Sequence, residues 1–115
     1  MHKFLEMEGG VSISAIKELN PCFIRDGGEV VKALTIRIHL KKIVISINTA
    51  YGPQEYDSLD KNNKFWKFLD EEAQRARSEG HGFLLQGDLN ARLGPEVIPS
   101  DTKPANANGK GLLTL

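Results

Sequence analysis

The chain has 115 residues and one cysteine, Cys22. A lone cysteine forms no intramolecular disulfide, so nothing implies an oxidising compartment. Beside Phe23 and Ile24 it reads as a small hydrophobe, not a nucleophile. Net charge is missing too, since 15 Lys and Arg balance 15 Asp and Glu. A nucleic-acid coat announces itself as a basic excess, and none is present overall; a local basic patch remains compatible with neutrality. No apolar run approaches the length of a membrane span. The N-terminus lacks the charged-then-apolar order of a signal peptide. The reading is therefore no membrane partner, no targeting signal and an intracellular location. Repeats and low-complexity segments are absent. The chain is 40% hydrophobic and 26% charged, within the range of one ordinary globular domain.

What is present is organised around Phe83-Leu84-Leu85-Gln86-Gly87-Asp88-Leu89-Asn90-Ala91-Arg92-Leu93-Gly94. Its first half is a short apolar run, as a buried strand would be. A carboxylate and an amide follow at i and i+2. In extended backbone these point to one side, so Asp88 and Asn90 stand together at the strand's carboxyl end. Chemistry in layered α/β folds gathers where strands end. Gly87 has no Cβ and lets another backbone or a ligand approach. The plainer reading is a strand ending in a turn formed by Asp88 and Asn90.

Upstream, residues 1–8 show no clear element, and Gly9-Gly10 punctuates. Val11, Ile13 and Ala15 alternate with Ser12 and Ser14, the period of a half-buried strand. Asn20-Pro21 ends the segment. Phe23-Ile24 reads as a short continuation, and Asp26-Gly27-Gly28 as a turn. In residues 30–40, Leu34, Ile36, Ile38 and Leu40 share one face, with Thr35, Arg37 and His39 on the other. The pattern resumes after Lys41-Lys42 with Ile43, Ile45 and Ile47 against Val44, Ser46 and Asn48. So short a link predicts an antiparallel hairpin and, with the first strand, a meander. The polar second faces are expected to be the less buried side.

Tyr51 has the parity of the isoleucines and is expected to lean inward over the core's rim. Two readings stand: a packed tyrosine, or a phenol donating into a site at the sheet's end. Residues 60–79 read as a helix, with Asp60 as N-cap and Gly80 just past the end. Phe65, Trp66, Phe68, Leu69, Ala73 and Ala76 form its core stripe. Lys67, Asp70, Glu71, Gln74 and Arg75 mark the wet side, with Glu71 and Arg75 paired at i,i+4. His81, between two glycines, reads as flexible and exposed. Strand, helix, strand suggests a right-handed crossover with the two strands parallel. Strands 43–50 and 83–87 would then end on one edge, bringing Tyr51, Asp88 and Asn90 together.

Three segments now carry a resemblance: Tyr51-Gly52-Pro53, Gly87-Asp88-Leu89-Asn90-Ala91 and Asn106-Ala107-Asn108-Gly109. Together they resemble the endonuclease/exonuclease/phosphatase superfamily, which includes DNase I and the apurinic endonucleases. Ala50-Tyr51-Gly52-Pro53-Gln54, Asn90-Ala91-Arg92-Leu93-Gly94, and Asn108-Gly109 with Gly111-Leu112-Leu113 look closest to the endonuclease domain of non-LTR retrotransposons. The resemblance runs from about Gly9 to Leu115. It implies an α/β fold, part of a four-layer αββα sandwich, and Mg²⁺-dependent hydrolysis of DNA phosphodiesters.

Under that resemblance Asp88 orients and deprotonates the attacking water. Asn90 holds Asp88 or a phosphate oxygen, and Tyr51 donates to a non-bridging oxygen. Asp88 and Asn90 are the implied metal residues; Asn108 and Arg92 are the implied substrate contacts. Asn108 is open to a second reading, a plain Asn-Gly turn. The family also has a metal-binding Glu on an earlier strand and a closing Ser-Asp-His motif, which are not found here. Residues 1–115 are accordingly expected to be the central part of such a domain, in a longer polyprotein with a reverse transcriptase. The expectation is a nuclear location if the protein acts on DNA, and little or no activity from this chain alone. The other class that stands is an inactive binding module or truncated product that keeps the fold.

Overall fold

Alternating apolar residues build a sheet whose middle strands are apolar on one face and small and polar on the other. The computed structural model describes residues 2–6, 12–16, 19–54 and 57–115. Its elements are β1 (His2–Glu6), β2 (Ser12–Ile16), β3 (Cys22–Asp26), β4 (Ala33–His39), β5 (Val44–Tyr51), α1 (Leu59–Ser78), β6 (Gly82–Asp88) and α2 (Ala107–Thr114). β1 and β2 form an antiparallel pair of their own; the other four strands form a sheet in the order β3-β4-β5-β6. The class is mixed α/β.

The meander exists but starts elsewhere than expected. β2 pairs with β1, a strand not anticipated in residues 1–8. The strand laid against β4 is β3, around Phe23 and Ile24, with a bulge between Phe23 and Arg25. A bulge re-aims side chains, and here it sets Arg25 opposite Thr35. β4 and β5 make the expected hairpin. The crossover through α1 then lays β6 parallel to β5, so both strands end on one edge.

The expected difference in burial between the faces is absent. Leu34, Ile36 and Ile38 cluster on one side with Leu19, Ile45 and Ile47. The other side, carrying Thr35, Ser46 and Asn48, is just as closed: Thr35 is 1% and Asn48 0% exposed. α1 lies on this side. Small residues let a helix bearing Phe65, Trp66, Phe68 and Leu69 approach, and the Thr35 hydroxyl donates to Asn48 Oδ1 at 2.6 Å. A polar strand face is buried when its partners are on hand.

α1 spans nearly the expected residues, but Ser58 is its N-cap, accepting from Lys61 N at 3.2 Å. Asp60 sits inside the first turn, where its charge favours the helix dipole. The core stripe is buried as read. Glu72, absent from that stripe, is buried with it. The wet-side pair also differs: Glu71 faces Arg25 at 3.6 Å, and Arg75 approaches Glu72 at 4.0 Å. His81 is not the exposed residue expected; its side chain is 14% exposed and Nδ1 lies 3.4 Å from Glu79. Among the described residues no helix is long and apolar enough to cross a membrane.

Candidate functional site at the carboxyl ends of β5 and β6

The parallel register makes Tyr51 and Asp88 direct partners, the last residues of their strands. Continuing the strands past this point requires two backbones to approach closely. A Cβ on Gly87 would collide with the Ala50 carbonyl, and one on Gly52 with the Leu89 carbonyl. Gly87 also has φ +123°, a conformation other residues avoid. The Gly52 N–H donates to Asp88 O at 2.7 Å, extending the ladder one step beyond the strands.

Asn90 locks this junction. Its φ is +50°, in the left-handed region that asparagine tolerates better than most residues. Its backbone N–H donates to Asp88 Oδ1 at 3.1 Å. Its side-chain amide donates to Gly52 O at 2.8 Å, clamping the end of β5. Asp88 is thus held by the main chain of Asn90, and the Asn90 side chain holds the neighbouring strand. Asp88 itself is exposed.

Tyr51 does not lean inward over the core. It is 43% exposed. It is the last residue of β5, where the strand ends. Its hydroxyl oxygen accepts from Gln54 Nε2 at 2.9 Å, and Lys32 Nζ lies 5.9 Å from its ring centroid. Because the oxygen is accepting, its own hydrogen remains available to donate.

Asn108 is neither a turn residue nor an exposed rim contact. It lies in the first turn of α2 and is 2% exposed. Its Oδ1 accepts from Trp66 Nε1 at 2.9 Å and from Asn62 Nδ2. Its Nδ2 donates to Pro53 O at 2.6 Å and to Asn90 O at 3.3 Å. One buried amide therefore joins α1, α2 and the loops that follow β5 and β6. Asn106, the N-cap of α2, works alongside it. Its Oδ1 accepts from Gly109 N and Arg92 N, and its Nδ2 donates to Asn90 O at 2.8 Å. Asn106 and Gln54 lie in the sequence motifs without an assigned role, and Asn62 lies outside them. Asn is a favoured N-cap residue, and that signal was available at Asn106.

Arg92 is half-buried, and its Nε donates to Pro104 O at 2.8 Å. It lines a pocket of ≈ 270 Å³ with Gln54, Asp57, Asn62 and Asn108, apart from Tyr51 and Asp88. The structure thus brings Tyr51, Asp88 and Asn90 together, puts Asn108 beneath them, and sets Arg92 to one side.

Mg²⁺ takes oxygen ligands, commonly one or two carboxylates completed by water and phosphate. Among the described residues no group of three His, Cys, Asp or Glu side chains converges. Asp88 supplies one exposed carboxylate, which suits a hydrated ion shared with a phosphate. It does not make a closed protein cage. Comparison with protein-family models, curated proteins and solved structures gives no match.

Proposed function

We propose that the chain carries the water- and phosphate-facing side of a metal-dependent phosphodiesterase site acting on DNA. The site would be of the DNase I-like type, within an αββα domain of the retrotransposon-endonuclease kind. The observation that carries this reading is the pairing of Tyr51 with Asp88 at the ends of two parallel strands. Phosphodiester hydrolysis needs an oriented water and stabilised phosphoryl oxygens. The Asp88 carboxylate, fixed by Asn90 N, would orient the water and take its proton. The Tyr51 hydroxyl, already accepting from Gln54, would donate to a non-bridging oxygen. Asn90 would keep the two strand ends at constant separation without adding a second negative charge. Asn108 would act as a positioning residue from below. A bound Mg²⁺, held by Asp88 with the amide oxygen of Asn90 within the same junction, would neutralise phosphoryl charge.

The single carboxylate favours a second reading, a module that binds DNA without cutting it. Plasmid nicking at high protein concentration in Mg²⁺ separates the two. The expected result is trace nicking that disappears in Asp88→Ala, since one preorganised group is worth about 10²–10³ in rate. Nicking unaffected by Asp88→Ala would place the chemistry elsewhere and overturn the reading. DNA binding with no nicking at all would favour the binding module.

A further inference from the structure

A second cleft opens on the other flank of Tyr51. It has a volume of ≈ 290 Å³ and is lined by Val30, Lys32, Tyr51, Gln54, Lys61 and Phe65, among others. Phe65 closes its floor at 1% exposure, while Val30 at the lip is 48% exposed. Two of the described lining residues are cationic, Lys32 and Lys61, and one is anionic, Asp57. Lys61 Nζ lies 3.6 Å from Asp57, at a surface separation worth little. Lys32 has no carboxylate partner among the described residues; its ammonium sits over the Tyr51 ring. The backbone fixes that placement, because Tyr51 N donates to Lys32 O at 2.8 Å. In a chain with no net charge, an ammonium without a described carboxylate partner beside the proposed phosphate donor is a local basic feature that composition conceals.

We infer that Lys32 and Lys61 form a flanking-phosphate subsite, so that the substrate is a DNA strand and not a mononucleotide or a small phosphate ester. The inference rests on the proposed phosphodiesterase reading. With the scissile phosphate at Tyr51 and Asp88, the next phosphate of the strand lies over Lys32, and the cleft carries the backbone on toward Lys61. Lysine suits this role as a compact, hydrated point charge that contacts phosphate without reading sequence. The apolar lip at Val30 and the Phe65 floor accommodate the sugar between the two charges.

The test is fluorescence anisotropy of a short labelled DNA duplex on the full chain, titrated across a range of salt, with thymidine 5′-monophosphate as the comparison ligand. Lys32→Gln and Lys61→Gln keep most of each stem and remove the charge. Each is expected to weaken duplex binding several-fold at low salt. Each should also reduce the log–log salt slope by about 0.9, the value for one lost phosphate contact on duplex DNA. Thymidine monophosphate binding should not change. Lys41→Gln, at the opposite end of the β4–β5 hairpin, should leave both unchanged. If the duplex binds and Asp88→Ala alters that binding, while Lys32→Gln and Lys61→Gln keep the parent slope, the subsite is wrong and the phosphodiesterase reading survives. Equal losses in all three lysine variants would mean diffuse attraction and overturn the subsite. No duplex binding by the parent chain would overturn both.

Discussion

The interior between α1 and the sheet is held in two different ways along its length. Near the candidate site, α1 packs Phe65, Trp66 and Leu69 onto Val31, Ala33 and Ala50. The polar groups there are neutral amides, with Asn108 satisfied on both its oxygen and its nitrogen. Farther along α1, charge joins the apolar contacts of Ala73 and Ala76. Glu72 Oε1 lies 2.6 Å from Arg25 Nε, Arg25 stacks 4.6 Å from the Phe68 ring centroid, and Arg37 reaches Glu79 at 2.9 Å. Arg37 Nε and Asn48 Nδ2 are buried there without a hydrogen-bond partner. The amide hub of Asn62, Asn106 and Asn108 carries no ionisable side chain, and none of its side-chain atoms is among the buried unpartnered ones of the described residues. The charged end carries desolvation costs that its ion pairs only partly offset. The strand ends that must hold a geometry are supported by the first kind of interior.

Substitutions at each end sharpen this contrast. The largest effect is expected at the apolar anchor. Phe65→Ala or Leu69→Ala should lower stability by about 2–5 kcal/mol in thermal or denaturant unfolding. Neutral values for both would mean that the helix face is misplaced. Next is the amide hub. Asn108→Ala would strand Trp66 Nε1, Asn62 Nδ2 and the Pro53 carbonyl, while Asn90 O keeps its bond from Asn106; three orphaned groups cost about 3 kcal/mol at the low end of 1–3 kcal/mol each. Asn108→Asp is the sharper probe. It sets a carboxylate against the carbonyls of Pro53 and Asn90, and should be worse at neutral pH than at acid pH, where the group is protonated.

The far end should yield less per residue. Arg25→Met removes the nearest cation from Glu72 but keeps the stem over Phe68. A fully buried broken pair costs about 3–5 kcal/mol. Arg25 is about a third exposed, so roughly 2 kcal/mol is expected. The smallest effect is a pH slope. Burial raises the Glu72 carboxyl above its ordinary 4.5; Arg25, Arg75 and Arg37 oppose this, and Glu71 adds to it. The folded chain therefore keeps a proton that the unfolded chain has lost just above pH 4.5. Stability from this group is fullest below that pH and falls as pH rises through the folded value. Glu72→Gln should flatten that part of the stability–pH curve. An unchanged slope would mean that Glu72 is paired well enough to ionise freely.

The sequence carried the skeleton of this arrangement and missed its interior. Helix α1, its stripe and the parallel pairing of β5 and β6 follow from period, caps and the crossover rule. Those alone put Tyr51 and Asp88 on one edge. Alternation could not say which face of β4 and β5 meets α1, because both are buried and the polar face is chosen by fit. Thr35 and Asn48 satisfy each other, a pairing visible only once the hairpin register is known. Asn108 read as a turn because Asn-Gly is a turn signal, yet the N-cap at Asn106 starts a helix one residue earlier. Its four hydrogen bonds reach residues 18 or more positions away. Tyr51 was expected inward from parity, but parity does not show where the cover on a face stops.

The central claim is that the ends of β5 and β6 form the place where a metal-bound phosphate is held. Amide NMR of the chain with trace Mn²⁺ tests it most directly, since paramagnetic broadening registers even weak binding and reports position. The account predicts that Asp88, Leu89, Asn90 and Tyr51 broaden first, and that Asp88→Ala removes the effect while the fold persists. Broadening centred elsewhere, with Asp88 and Tyr51 unaffected, would contradict it.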